Sequence, residues 1–109
     1  MKKMLNKNIS NVYYIKDGKI IEGVHGSISG DVSRISGDVS RISGYVGEIY
    51  GDVTGISGNV TGISGNVTEI SGNVTGISGD VNRISGNVND CEITDEERKE
   101  GINISDLVQ

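Results

Sequence analysis

The chain has 109 residues and a formal net charge of −5, with 17 Gly, no Pro, no Trp, no Phe and four Tyr. This length makes one domain. The residue usage excludes a core of bulky aromatics, and an acidic balance without a basic stripe argues against direct nucleic-acid binding. No apolar run reaches the length of a membrane span, and residues 1–25 lack the apolar stretch of a signal peptide, so a cytoplasmic location is expected.

Residues 1–27 read as a basic segment followed by a hairpin. Residues 1–8 are polar and carry Lys2, Lys3 and Lys7. Val12-Tyr13-Tyr14-Ile15, then Lys16-Asp17-Gly18-Lys19, then Ile20 to Val24 predict strand, tight turn and strand, because Asp-Gly supplies the two positive-φ positions of a two-residue hairpin turn. A hairpin here caps the first coil of the adjoining repeat region; Tyr13 and Tyr14 as a ligand platform is the other reading. His25, the sole histidine, has no ligand or base near it in sequence, which favours cap packing or a solvent-facing role.

Residues 28–91 repeat a heptad, Ile-Ser-Gly-Asx-Val-(Ser/Thr)-x, about nine times. Ile runs from Ile28 to Ile84, Val from Val32 to Val88 and Gly from Gly30 to Gly86, each at every seventh position. Tyr45 replaces the Asx before Val46, and Tyr50 replaces the Ser after Ile49. Apolar spacings of 3 and 4 also mark coiled coils. However, one heptad of Ile-Ser-Gly-Asn-Val-Thr-Gly gives up about 4 to 5 kcal/mol against an Ala helix. Val, Ile and Thr favour extended backbone, and Gly-Asx bends it. The expected fold is therefore all-β, a β-solenoid (β-helix) in which neighbouring coils bury each other's Ile and Val. A trimeric glycine-rich fibre is the alternative.

Charge argues for two heptads, about 14 residues, per coil. That stacking places Arg34 over Glu48 and Glu69 over Arg83, whereas three heptads (21 residues) align Glu48, Glu69 and Asp90. Four to five coils at about 4.8 Å make a rod roughly 20 Å long.

Cys91 occupies the slot of a tenth Ile, so it is expected as a small buried residue closing the last coil; between Asp90 and Glu92 it has no basic neighbour to activate it. Residues 92–109 form an acidic cap. Thr94 and Glu97 make a capping box for a short helix through about Glu100, and Gly101 stands where such a helix ends. Ile102, Ile104, Leu107 and Val108 form an apolar cluster that plugs the end or dimerises. Charge divides along the chain. Residues 1–24 hold five Lys against Asp17 and Glu22, net +3; residues 25–89 hold three Arg against six acids, net −3; residues 90–109 hold seven acids against Arg98 and Lys99, net −5.

No Ser-His-Asp set, metal-ligand spacing or phosphate loop is legible, and neither an enzyme nor a cofactor or metal is expected. Asp31, Asp38, Asp52 and Asp80 alternate with Asn in one column, which suits turn-forming side chains better than calcium ligands. The Thr column Thr54, Thr61, Thr68 and Thr75 weakly suggests ice or surface binding. In general plan the rod is similar to pentapeptide-repeat and other short-repeat β-helices, some of which resemble duplex DNA and block DNA-binding enzymes. With its Cys91-Glu92-Ile93-Thr94-Asp95-Glu96-Glu97-Arg98 end, the chain also resembles short repeat proteins of Firmicutes and their phages. These resemblances imply a non-enzymatic protein-binding rod or an acidic, phage-borne decoy. Candidate partner contacts are Tyr45, Tyr50, Glu48 and Glu69, with a homodimer through a terminal cap as a further option.

Overall fold

A computed structural model describes residues 1–5 and 12–109; Lys7 of the basic segment lies outside them. The chain forms a hairpin of β1 (Val12–Lys16) and β2 (Lys19–Glu22), then one short strand per heptad. These are β3 (Ile28–Ser29), β4 (Ile35–Asp38), β5 (Ile42–Tyr45), β6 (Ile49–Asp52), β7 (Ile56–Asn59), β8 (Ile63–Asn66), β9 (Ile70–Asn73), β10 (Ile77–Asp80) and β11 (Gly86–Asn87). Helix α1 (Asp95–Glu100) and β12 (Ile102–Asn103) complete the chain, with 3-10 turns at Val88–Cys91 and Ile104–Leu107.

Two sheets result, one of order β12-β10-β8-β6-β4-β1-β2 and one of order β11-β9-β7-β5-β3. Each repeat strand therefore pairs in parallel with the strand two heptads on, giving a β-solenoid of about four turns with two strands per turn. Seven strands at about 4.8 Å make the longer sheet about 29 Å high, more than the repeat alone predicts because cap strands extend it at both ends. Overall the molecule measures 62 × 30 × 23 Å, its exposed residues 1–5 included.

The bonded register is the main departure from the sequence-based expectation. Ile35 pairs with Gly51 and Ser36 with Asp52, an offset of 16 residues where the sequence repeats every 14. Successive strands are thus staggered by two residues, and the Ile-Ser half of one strand bonds the Gly-Asx half of the next. Ile consequently neighbours Gly across the ladder instead of another Ile. The expected charge stacking fails for the same reason. Arg34 lies over the ring of Tyr50, 4.8 Å from its centroid, and not over Glu48. Glu69 is likewise out of register with Arg83, its carbonyl accepting from the Gly86 N–H at 3.1 Å.

Two devices turn the chain within each heptad. Gly58, at φ +86, carries the bend after Ile-Ser, and a Cβ there would collide with the side chains of Asn73 and Thr75 one coil on. Three residues later the chain reverses in a β-turn closed by Ile63 N–H to Val60 O at 3.0 Å, a bond repeated in each heptad from Val32–Ile35 to Val81–Ile84. That second turn, over Val-(Ser/Thr)-x-Ile, adds to the Gly-Asx bend expected from sequence.

Between the sheets lies a dry column of Ile and Val. Val39, Val46, Val53, Val60, Val67, Val74 and Val81 are fully buried, as are Ile49 and Ile63, and Ile42 and Ile56 nearly so. Val32 and Ile84, at the two ends of the repeat, are only half-buried; Val12 and Ile104 from the caps complete the core. The aliphatic columns are thus covered within one chain, with no second chain needed to bury them.

Both caps are built by re-entry into the ladder. The hairpin forms as expected, with Asp17 at φ 54 and Gly18 at φ +77 in its turn. Val12 pairs with Gly37 as a repeat Ile would, and β1 thereby stands in for a preceding coil. At the other end Thr94 and Glu97 form the expected capping box over α1. Arg98 fastens this helix, donating to the carbonyls of Asn73 (2.7 Å) and Thr75 (2.8 Å). Ile102 then pairs with Ile77, and residues 102–107 run as a degenerate repeat copy. Asn103 forms the same side-chain turn to Ser105 (3.0 Å) as the Asx residues of the rod. The expected plug is therefore a continuation of the ladder after a helical insertion. Cys91 is exposed, not buried as expected. The 3-10 turn and Glu92 at φ 54 carry it outward, and Ile104 and Leu107 resume the aliphatic column.

Candidate interaction surface

The rod's surface is set by what its outer side chains do within the fold. In each turn the Asx Oδ1 accepts from the N–H two residues on: Asp52 from Thr54 (2.9 Å), Asn59 from Thr61 (3.0 Å), Asn73 from Thr75 (3.0 Å). The Thr hydroxyl in turn accepts from the Asx N–H one coil earlier, as in Asp38 to Thr54 (2.9 Å), Asp52 to Thr68 (3.1 Å) and Asn59 to Thr75 (3.0 Å). Asn82 and Asn89 do the same for Asn66 and Asn73 through their amide oxygens. This 16-residue hydrogen-bond ladder explains why the position after Val is Ser, Thr or Asn. It also engages the Thr column internally, leaving a weaker case for ice or surface binding.

The carboxylates of this column serve the same turns. Asp31 is held below its ordinary pKa first by the Ser33 N–H, then by its hydroxyl, with Arg34 adding to the effect. The Asp52 pKa is lowered by the Thr54 hydroxyl and then by its N–H. Turn formation, as expected, accounts for these acids.

The ladder is interrupted at Tyr45 and Gly47. No side-chain turn forms there; instead the Tyr45 ring folds over Gly47 and Gly30, and a Cβ added at Gly30 would meet the ring at 2.8 Å. The Tyr45 backbone keeps its place, donating to Thr61 Oγ1 at 3.1 Å. Tyr45 remains 47% exposed on a surface otherwise made of small side chains.

Tyr50 is placed differently. It lies in the seven-stranded sheet, Tyr45 in the five-stranded one, with the turn at 46–48 between them. Its hydroxyl donates to Asn82 Oδ1 at 2.8 Å and its ring receives Arg34, a cation–π contact worth about 0.5–1 kcal/mol at an exposed site. Tyr50 therefore straps coils together, from Arg34 one coil earlier to Asn82 two coils on. Glu48 and Glu69 are exposed and head strands of different sheets, β6 and β9. The four candidate contact residues do not form one patch.

At the N-terminal cap His25 Nδ1 accepts from the Ser27 N–H (3.3 Å), which leaves Nε2–H to donate to the Val39 carbonyl (2.8 Å). Tyr14 meets His25 edge to face with centroids 5.6 Å apart. Both residues are packed into the cap. At the C-terminal end an open groove of about 490 Å³ lies between β11 and the tail, lined by Ile84, Val88, Asp90, Leu107 and Val108 among others. A second hollow beside it is lined by Glu92, Glu97, Glu100 and Asp106. No helix among the described residues is long and apolar enough to cross a membrane.

Compared with known proteins, the chain matches no family model, no curated protein and no solved structure.

Proposed function

We propose that this protein is a non-enzymatic, cytoplasmic interaction rod that presents Tyr45 to a protein partner. The observation that carries the reading is the Tyr45–Gly47 exchange. At this one turn the repeat gives up its Asx side-chain turn and the hydroxyl two residues later and gains a half-exposed tyrosine, a residue type enriched among the anchors of protein contacts. An unpaired thiol at exposed Cys91 suits a reducing compartment. The test restores the repeat. Tyr45→Asn with Gly47→Thr keeps the solenoid and removes the ring, and in affinity capture from a bacterial lysate it should lose a partner that the wild type retains. Equal capture by both proteins removes Tyr45 from consideration.

The alternative, an acidic phage-borne decoy for a DNA-binding enzyme, calls for carboxylates spread along the rod like phosphates. Here seven of the fifteen acids lie in residues 90–109, at one end, and the rod bears three arginines. The scaffold reading fits this distribution better.

A further inference from the structure

The two ends of the solenoid differ in shape and charge, and both leave apolar surface exposed. The seven-stranded sheet reaches beyond the five-stranded sheet at each end, through β2 at the N-terminal end and β12 at the C-terminal end. Each end is therefore a step. At the C-terminal step the groove beside β11 has Ile84, Val88, Leu107 and Val108 as its apolar wall, and Val108 is 53% exposed. Asp90 lines the same groove, and Glu92, Glu100 and Asp106 line the hollow next to it.

At the N-terminal step the hairpin carries the matching chemistry. Ile15 and Ile20 are direct cross-strand partners and so share one face; they are 49% and 71% exposed. Lys16 and Lys19 are the next pair, at the turn, and Lys2 and Lys3 are exposed nearby in sequence. Among the described residues no strand bonds the outer edge of β2.

We propose that the C-terminal groove of one copy receives the N-terminal hairpin of a second copy, joining solenoids head to tail. The Ile15–Ile20 pair fills the groove against Ile84, Leu107 and Val108. Lys16 and Lys19 of the hairpin, which also carries Asp17 and Glu22, and exposed Lys2 and Lys3 meet an end that is net −5 over residues 90–109. Turning one copy by half a revolution brings the projecting hairpin of one step over the recess at β11 of the other. Such a contact uses two different surfaces at opposite ends of the rod and stacks copies along its axis, so it adds copies in a line. It is separate from the Tyr45 reading and stands or falls without it.

The experiment is sedimentation velocity of the full chain across a concentration series, at low salt and at ~0.5 M salt, where surface charge attraction is largely screened. The expected result is a mass that keeps rising with concentration beyond a dimer and falls with added salt. Ile15→Thr with Ile20→Lys, both exposed positions, should remain monomeric while its far-ultraviolet spectrum matches the wild type. Two charge-reversed proteins decide the polarity. Lys16→Glu/Lys19→Glu and Asp90→Lys/Asp106→Lys should each lose self-association, and their mixture should recover assembly beyond a dimer, with the two proteins alternating along the line. A mass that stops at a dimer, a monomer at every concentration, or undiminished assembly by the isoleucine variant overturns the proposal.

Discussion

Tyr45 lies across Gly47, its ring occupying the space that the Thr side chain fills in the neighbouring turns. The two residues belong together. A Cβ at position 47 collides with the ring. Asn at position 45 can make the side-chain turn to the Gly47 N–H, but only Ser, Thr or Asn at 47 also supplies the acceptor that the Asx N–H one coil earlier finds in the other turns. Gly47→Thr alone should displace the ring and destabilise the rod. Combined with Tyr45→Asn it should be neutral or better. A double-mutant cycle by chemical denaturation should show coupling on the order of 1 kcal/mol, and additive effects would mean that the ring does not depend on the missing side chain.

The glycines of the heptad do two jobs that single substitutions separate. Gly58→Ala forces a side chain into positive φ and against Asn73 and Thr75, with an expected loss of about 1–3 kcal/mol. Gly55, in the variable position, has ordinary φ and only van der Waals neighbours at 3.5 Å or beyond, so Gly55→Ala should stabilise by about 0.4–1 kcal/mol through the unfolded chain. Thermal melts of the two variants should move in opposite directions.

Arg98 closes the C-terminal end by donating to two carbonyls of coil residues, Asn73 and Thr75. Arg98→Ala should cost about 1.5–3 kcal/mol, the range for hydrogen bonds from a charged donor. Lys should rescue it only in part, because its ammonium is more strongly hydrated than the Nη1 that makes both bonds and sits on a flexible stem. Hydrogen exchange should report the loss first in α1 and β12, and uniform protection across the rod would argue against a fastening role.

Acid should weaken the fold through its turn carboxylates. Asp31, Asp52 and Glu97 all have pKa values lowered by hydrogen bonds that exist only in the folded chain. A lowered folded-state pKa contributes stability at pH above the unfolded value, 3.8 for Asp and 4.5 for Glu, and that stability is lost as pH falls through the folded value. The wild type should therefore lose stability below about pH 4.5. Asp31→Asn with Asp52→Asn should flatten this acid limb while leaving neutral-pH stability nearly unchanged, since Asn59 and Asn73 make the same turn uncharged. Denaturation midpoints from about pH 7 down to about pH 3 measure it.

Local chemistry was readable without coordinates wherever residues adjacent in sequence decide it. Asp17-Gly18 specified the hairpin turn, Thr94 and Glu97 the helix start, and the Ile and Val columns the buried line. Ile102-Asn103-Ile104-Ser105-Asp106-Leu107 carried a further signal, since it matches x-Asx-aliphatic-Ser-x-aliphatic of the rod, but the helical insertion hides its register. The proposed contact was half legible: Tyr45 stood out as a break in the repeat, while its pairing with Gly47 and its separation from Tyr50 did not.

By itself the sequence determined the repeat unit, the strand-and-turn character of each heptad and the identity of the core, because propensity and alternation act within a few residues. Only the tertiary structure decided the two-residue stagger. Register between coils depends on which backbone N–H meets which acceptor across the ladder, and at this offset the Asx N–H donates to the Thr Oγ1 16 residues on. That offset places Arg34 over Tyr50 in place of Glu48, and Ile beside Gly. The outward turn of Cys91 is likewise tertiary, because the helical insertion diverts the chain there before the ladder resumes.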